Sequence, residues 1–81
     1  MRVSVKLFAG ARQAAGEDEI EVEVPTGATV GLLKQAIIEQ FPELESICRH
    51  AMFAINTEYA EPEQLVPDAA EIALIPPVSG G

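Results

Sequence analysis

The sequence predicts an α+β domain, a mixed sheet packed on one main helix, and three observations predict it. Residues 2–8 and 19–24 alternate apolar and polar side chains, as half-buried strands do. Residues 30–41 carry apolar side chains at helical spacings of three and four. A last apolar stretch, residues 71–75, is closed by Pro76-Pro77, which cannot donate to a ladder.

In the first strand, residues 2–8, Val3, Val5 and Leu7 share one face and Ser4, Lys6 and Phe8 the other. Residues 9–16, with Gly10 and Gly16 on either side of Ala-Arg-Gln-Ala-Ala, read as a long hairpin loop. It leads to an antiparallel strand over residues 19–24, where Ile20, Val22 and Val24 share a face. Pro25-Thr26-Gly27 breaks that strand. Thr29 is then placed to cap a helix over Val30–Gln40, with Val30, Leu33, Ile37, Ile38 and Phe41 on its apolar stripe and Pro42 at its end. Gly31 costs the first turn roughly 1 kcal/mol of propensity relative to Ala.

Residues 43–50 read as a short helical turn that buries Leu44, Ile47 and Cys48. Residues 52–56 form a third strand, Thr57 a turn, residues 58–60 a short strand, and Pro62 and Pro67 bracket a connector. In the last strand Ile72 and Leu74 face one way, Ala73 and Ile75 the other. The long crossover after the helix sets the first and last strands parallel and adjacent. The order strand, strand, helix, strand, short strand, strand resembles the ubiquitin-like β-grasp. It divides the chain into a domain over residues 1–75 and an extended tail over residues 76–81.

Eighty-one residues hold one small domain, and a 48% apolar content is enough to fill its core. Thirteen acids against five bases give a net charge of −8. The bases Arg2, Lys6, Arg12, Lys34 and Arg49 are scattered, which argues against nucleic acid as a partner. Glu17, Asp18, Glu19, Glu21 and Glu23 lie together, either as a solvated face or as a docking face for a basic partner. Cys48 is the single cysteine, so an internal disulfide or a metal cluster built from this chain alone is excluded, no metal is expected, and a reducing cytoplasm fits best. With no apolar signal core at the start and no apolar run near the ~18 residues that span a bilayer, nothing points to export or to a membrane.

The informative segment is the ending, Ile75-Pro76-Pro77-Val78-Ser79-Gly80-Gly81. Two prolines favour a stiff, extended exit and two glycines leave bare backbone. From Pro76 to Gly81 the tail spans at most ~20 Å, enough to bring a chain terminus into a pocket of another protein. A narrow channel can close around Gly80 and Gly81, and a side chain at Gly81 would block it. The terminal carboxylate is ionised at neutral pH and must be activated before it reacts. The chain has no phosphate-binding glycine loop and no paired base and nucleophile, so activation belongs to partners. A frayed end is the plain alternative reading of Gly80-Gly81.

At these residues the sequence resembles the small subunit of molybdopterin synthase, in which Pro-Pro-Val-Ser/Thr-Gly-Gly follows the last strand. Leu7-Phe8-Ala9 with Arg12, Ala15-Gly16, Thr29-Val30-Gly31, Asn56 and residues 71–75 extend the match. The resemblance implies a small non-catalytic subunit that binds no cofactor. It implies that Gly81 is adenylated by an E1-like adenylyltransferase using ATP, converted to a thiocarboxylate, and threaded with Gly80 into the large synthase subunit, in a heterotetramer, to give sulfur to cyclic pyranopterin monophosphate.

On the same pattern the docking surface is the sheet face opposite the helix, with Phe8, Tyr59 and Ile75, and the exit Pro76, Pro77, Val78 and Ser79. Phe8 and Tyr59 read equally as peripheral core. Arg12 is either a pairing group for an acidic partner or a solvated loop residue. Cys48 reads as a small core residue, and His50 has no role. Where the family commonly has Asp-Gly-Asp before the last strand, this chain has Asp68-Ala69-Ala70, so the turn must avoid a positive φ or accept strain. A thiazole-synthesis sulfur carrier, a ubiquitin-like protein modifier and an inert β-grasp interaction module are the alternatives.

Overall fold

A computed structural model describes residues 1–77. The elements run β1 (Arg2–Leu7), α1 (Ala9–Ala15), β2 (Glu19–Glu23), α2 (Val30–Gln40), a 3₁₀ turn (Pro42–Leu44), α3 (Glu45–His50), β3 (Met52–Ile55), β4 (Glu58–Ala60) and β5 (Ile72–Ile75). The sheet order is β2-β1-β5-β3-β4. β1 and β5 run parallel, with Val5, Lys6 and Leu7 beside Ile72, Ala73 and Leu74. The other pairings are antiparallel. β5 therefore lies between the β1–β2 pair and the β3–β4 hairpin, and α2 covers one face.

Burial follows the alternation. Val3, Val5 and Leu7, Ile20 and Val22, Phe53, and Ile72 and Leu74 face Val30, Leu33 and Ile37 of α2 in one core, which Leu44 and Cys48 close from below. Burying each of these side chains is worth about 1.5–3 kcal/mol, and no polar side chain among the described residues is fully buried. Thr29 caps α2 as its sequence predicts, its Oγ1 accepting from the Leu32 N–H at 3.2 Å. The next orphan donors of that helix find backbone. The Val30 and Gly31 N–H groups donate to the carbonyls of Gln64 and Pro62, each at 2.9 Å.

The segment read as a hairpin loop is a helix. Ala11, Ala14 and Ala15 are the best helix formers, Ala11 is buried against the core, and Gly16 ends the turn in the left-handed region at φ 75° with its N–H on the Arg12 carbonyl. The glycines that marked a loop are instead a tolerated position in the first turn and a C-terminal cap. Besides Ala9 (φ 48°), which opens α1, two turns carry residues other than glycine at positive φ. The hairpin between β3 and β4 turns on Asn56 (φ 49°) and Thr57 (φ 73°), and the turn before β5 on Ala69 (φ 59°). Asn56 is held there by Glu71: its N–H donates to the Glu71 carbonyl at 2.8 Å, and its Oδ1 accepts the Glu71 N–H at 3.0 Å.

Candidate functional site

The sheet face away from α2 is uncovered. Alternation sends Ser4 and Lys6 of β1, Ala73 and Ile75 of β5, Met52 and Ala54 of β3 and Tyr59 of β4 to this side. Phe8, just beyond β1, joins them, because Leu7 lies beside Leu74 and the next residues of the two parallel strands, Phe8 and Ile75, come abreast. Phe8, Tyr59 and Ile75, separated widely in sequence, thus line one shallow depression floored by Ala54 and Ala73. Phe8 is 49% and Tyr59 66% exposed, while Ile75 is half-buried. A patch of this kind marks an interaction surface more often than a bare monomer surface.

Sequence reasoning missed Met52. It stands directly opposite Ile75 in the antiparallel β3–β5 register and is 54% exposed. The signal was present: once Phe53 is taken as core, Met52 must face the other way.

The outward side of β2 adds Glu19, Glu21 and Glu23 to this face, the last two beside Arg2. Lys6 Nζ lies 3.4 Å from Glu71 Oε2, both exposed. Arg12 sits at the flank of Phe8, in a second depression that shares Lys6 and Phe8 with the first. Its Nη1 is 3.5 Å from Asp18 Oδ1, an exposed pair that leaves the guanidinium open to solvent.

The tail leaves from the middle of the sheet. β5 is its third strand, and after Ile75 the chain passes through Pro76, half-buried, and Pro77, exposed. Val78, Ser79, Gly80 and Gly81 lie outside the described residues. Cys48 is buried in α3, and that burial pushes its thiol up to about 11 despite the nearby Lys34 ammonium, which pulls it down. At neutral pH it is an inert thiol. His50 is exposed in the last turn of α3. Among the described residues no three His, Cys, Asp or Glu side chains group as metal ligands, and no helix is long and apolar enough to cross a membrane.

A mixed five-stranded sheet wrapped on one main helix, with its C-terminal strand at the centre and an apolar outer face at that strand's end, defines a ubiquitin-like β-grasp protein. More narrowly, the chain belongs to the ThiS family, whose model matches residues 5–81. It is 39% identical to the molybdopterin synthase sulfur carrier subunit of Chlamydomonas reinhardtii, over 100% of both chains. It is 33% identical to the protein of the same name from Arabidopsis thaliana, over 100% of this chain and 84% of that one. The crystal structure of SAMP1 from Haloferax volcanii superposes with a TM-score of 0.84 at 34% identity, over 100% of both chains.

Proposed function

We propose that this chain is a sulfur carrier of molybdenum cofactor biosynthesis and that the carboxylate of Gly81 is its working group. The observation that carries the reading is the position of Ile75. It belongs both to the uncovered apolar face and to the root of the tail, so a protein that covers Met52, Tyr59 and Ile75 stands where Pro76 and Pro77 leave the sheet. Docking and delivery share one geometry. Family membership and the names of the relatives supply the sulfur chemistry.

The carboxylate is a poor electrophile, and an E1-like adenylyltransferase activates it by joining it to the AMP of ATP with release of pyrophosphate. A persulfide sulfur then attacks the acyl carbon, AMP leaves and an acyl disulfide forms. A thiol cleaves its S–S bond, leaving a thiocarboxylate on Gly81 and a disulfide between the two thiols. Inside the large synthase subunit the thiocarboxylate sulfur bonds to carbon of cyclic pyranopterin monophosphate, and water restores the carboxylate. Gly80 and Gly81 offer no side chain to obstruct a closed channel. Threading orders each tail residue at about 1–2 kcal/mol, so affinity has to come from the sheet face, with Phe8, Tyr59, Ile75, Pro76 and Pro77 and with Arg12 at its margin.

The likeness to SAMP1 favours one second reading, a ubiquitin-like modifier that keeps the adenylate but ends on a lysine amine. Intact mass of the chain after incubation with the activating enzyme and a persulfide donor separates the two. A carrier gains the difference between sulfur and oxygen, and a modifier gains a whole protein. Reconstitution with the large subunit then compares the thiocarboxylate with a chain lacking Gly80 and Gly81. Equal cofactor synthesis from the truncated chain would overturn the reading and leave an inert interaction module.

A further inference from the structure

One row of outward residues crosses the whole sheet. The register sets Glu19 beside Lys6, Lys6 beside Ala73, Ala73 beside Ala54 and Ala54 beside Tyr59, one residue from each strand. The two alanines reach no further than their Cβ atoms, so they floor the depression and their neighbours wall it. Tyr59 is the wall at β4 and Lys6 the wall at β1. Phe8 and Ile75, two residues along β1 and β5, close the end from which the tail leaves. Glu71, two residues back from Ala73, closes the other end with Thr57.

The depression is therefore apolar at β4 and at the tail, and bounded elsewhere by an ion pair. Lys6 stands between Glu19 and Glu71, and its ammonium donates to Glu71 Oε2 at 3.4 Å, with the two side chains 49% and 57% exposed. The backbone beneath Glu71 is held: its N–H donates to Asn56 Oδ1 at 3.0 Å, and its carbonyl accepts the Asn56 N–H at 2.8 Å. This fixes the start of β5 beside the β3–β4 turn. A side chain that fills the floor between Tyr59 and Lys6 touches the pair, so a partner seated there takes water from Lys6 and Glu71 as well as from Tyr59 and Ile75.

We propose that Lys6 and Glu71 go under the docking partner as an intact pair and weaken docking, so that the apolar face holds the large synthase subunit without keeping it. This rests on the sulfur-carrier reading and adds two residues that set the affinity of the docking face. In the open, a single contact of this length contributes little. Under an apolar partner both groups lose hydration that their mutual attraction does not repay, while one of them covered alone costs more still. A carrier that has given up its sulfur must be released before it is recharged, and a pair that loses water on docking shortens the stay.

The test measures affinity and dissociation of the full chain with the purified large subunit of molybdopterin synthase for K6M, E71M and the K6M/E71M double variant. The double variant keeps the net charge, so its effect is local. Each single variant is expected to bind about tenfold more weakly than wild type, because one charge is covered without its partner. The double variant is expected to bind about tenfold more tightly and to dissociate correspondingly more slowly. The control E45M/R49M removes a pair on α3, on the helical side of the sheet, and is expected to stay within about twofold of wild type. A double variant that binds no tighter than wild type, single variants that bind as tightly as wild type, or a control that shifts as the double variant does would overturn the proposal. Failure of the wild type to bind would instead overturn the sulfur-carrier reading beneath it.

Discussion

Met52 and Ile75 face each other across β3 and β5 on the open side of the sheet, so the strand that ends in the tail is flanked by the most exposed thioether of the domain. Methionine adapts its shape to what covers it. A carrier that must dock, leave and be recharged gains from such a contact, which is apolar without being rigid.

Met52→Ala is accordingly expected to weaken binding to the large subunit by about 1 kcal/mol, roughly fivefold in Kd, with stability changed by no more than about 0.5 kcal/mol, as for an exposed site. Ile75→Ala is expected to cost more affinity and also some stability, because Ile75 is half-buried. Calorimetric titration together with thermal unfolding of each variant separates the two effects. Unaltered affinity in both variants would remove this face from docking.

Ala69 at φ 59° and Thr57 at φ 73° occupy a region that glycine enters freely and that a β-branched residue resists most. Ala69→Gly is expected to stabilise the domain by about 0.5–1 kcal/mol and Thr57→Gly by about 1 kcal/mol, the latter because Asn-Gly is the preferred pair for such a hairpin turn. Each should raise the unfolding midpoint by about 4–8 °C per kcal/mol in a domain this small. A fall in either midpoint would mean that the chain relaxes out of these conformations.

Gln40, the last residue of α2, reaches the free edge of β2 and pairs with it as another strand would. The Glu23 N–H donates to its Oε1 at 3.1 Å, and its Nε2 donates to the Glu23 carbonyl at 2.9 Å. Gln40→Ala is expected to cost about 1 kcal/mol and to speed exchange of the Glu23 amide hydrogen. Gln40→Glu keeps the acceptor but sets a carboxylate against the Glu23 carbonyl, and should cost more. Urea titration and hydrogen exchange read both, and unaltered Glu23 exchange in Gln40→Ala would show that the contact does not persist in solution.

Where a residue's neighbours in the chain decide its place, the sequence was legible. The alternation of β1, β2 and β5, the stripe and cap of α2 and the proline stop after Ile75 are local patterns, and the fold keeps them. Helix α1 was not legible, because Gly10 and Gly16 are loop formers in isolation, and only burial of Ala11 against the 3₁₀ turn and core decides for a helix. The meeting of Phe8, Ile75 and Tyr59 is a property of register. The sequence offers their outward faces, but the parallel β1–β5 pairing sets Phe8 beside Ile75, and the antiparallel β3–β5 and β3–β4 pairings bring Met52 and Tyr59 to the same face. Which carboxylates Arg2 and Arg12 reach is likewise set by the fold, which spacing alone does not contain.

Burial of Cys48 makes the stability of the fold depend on pH in the alkaline range. Its thiol titrates near 9.0 when exposed and near 11 in the folded chain. Because the folded pKa is the higher one, its contribution to stability is fully present below pH 9 and is lost as pH rises toward 11, the unfolded chain releasing its proton first. The slope of unfolding free energy against pH should therefore turn negative across this window. It should be flatter in Cys48→Ala, a variant less stable at neutral pH by about 1 kcal/mol through lost packing. A thiol reagent at pH 8 should leave the folded protein unlabelled and react on unfolding. Identical alkaline slopes in wild type and Cys48→Ala would mean that burial of the thiol does not govern this dependence.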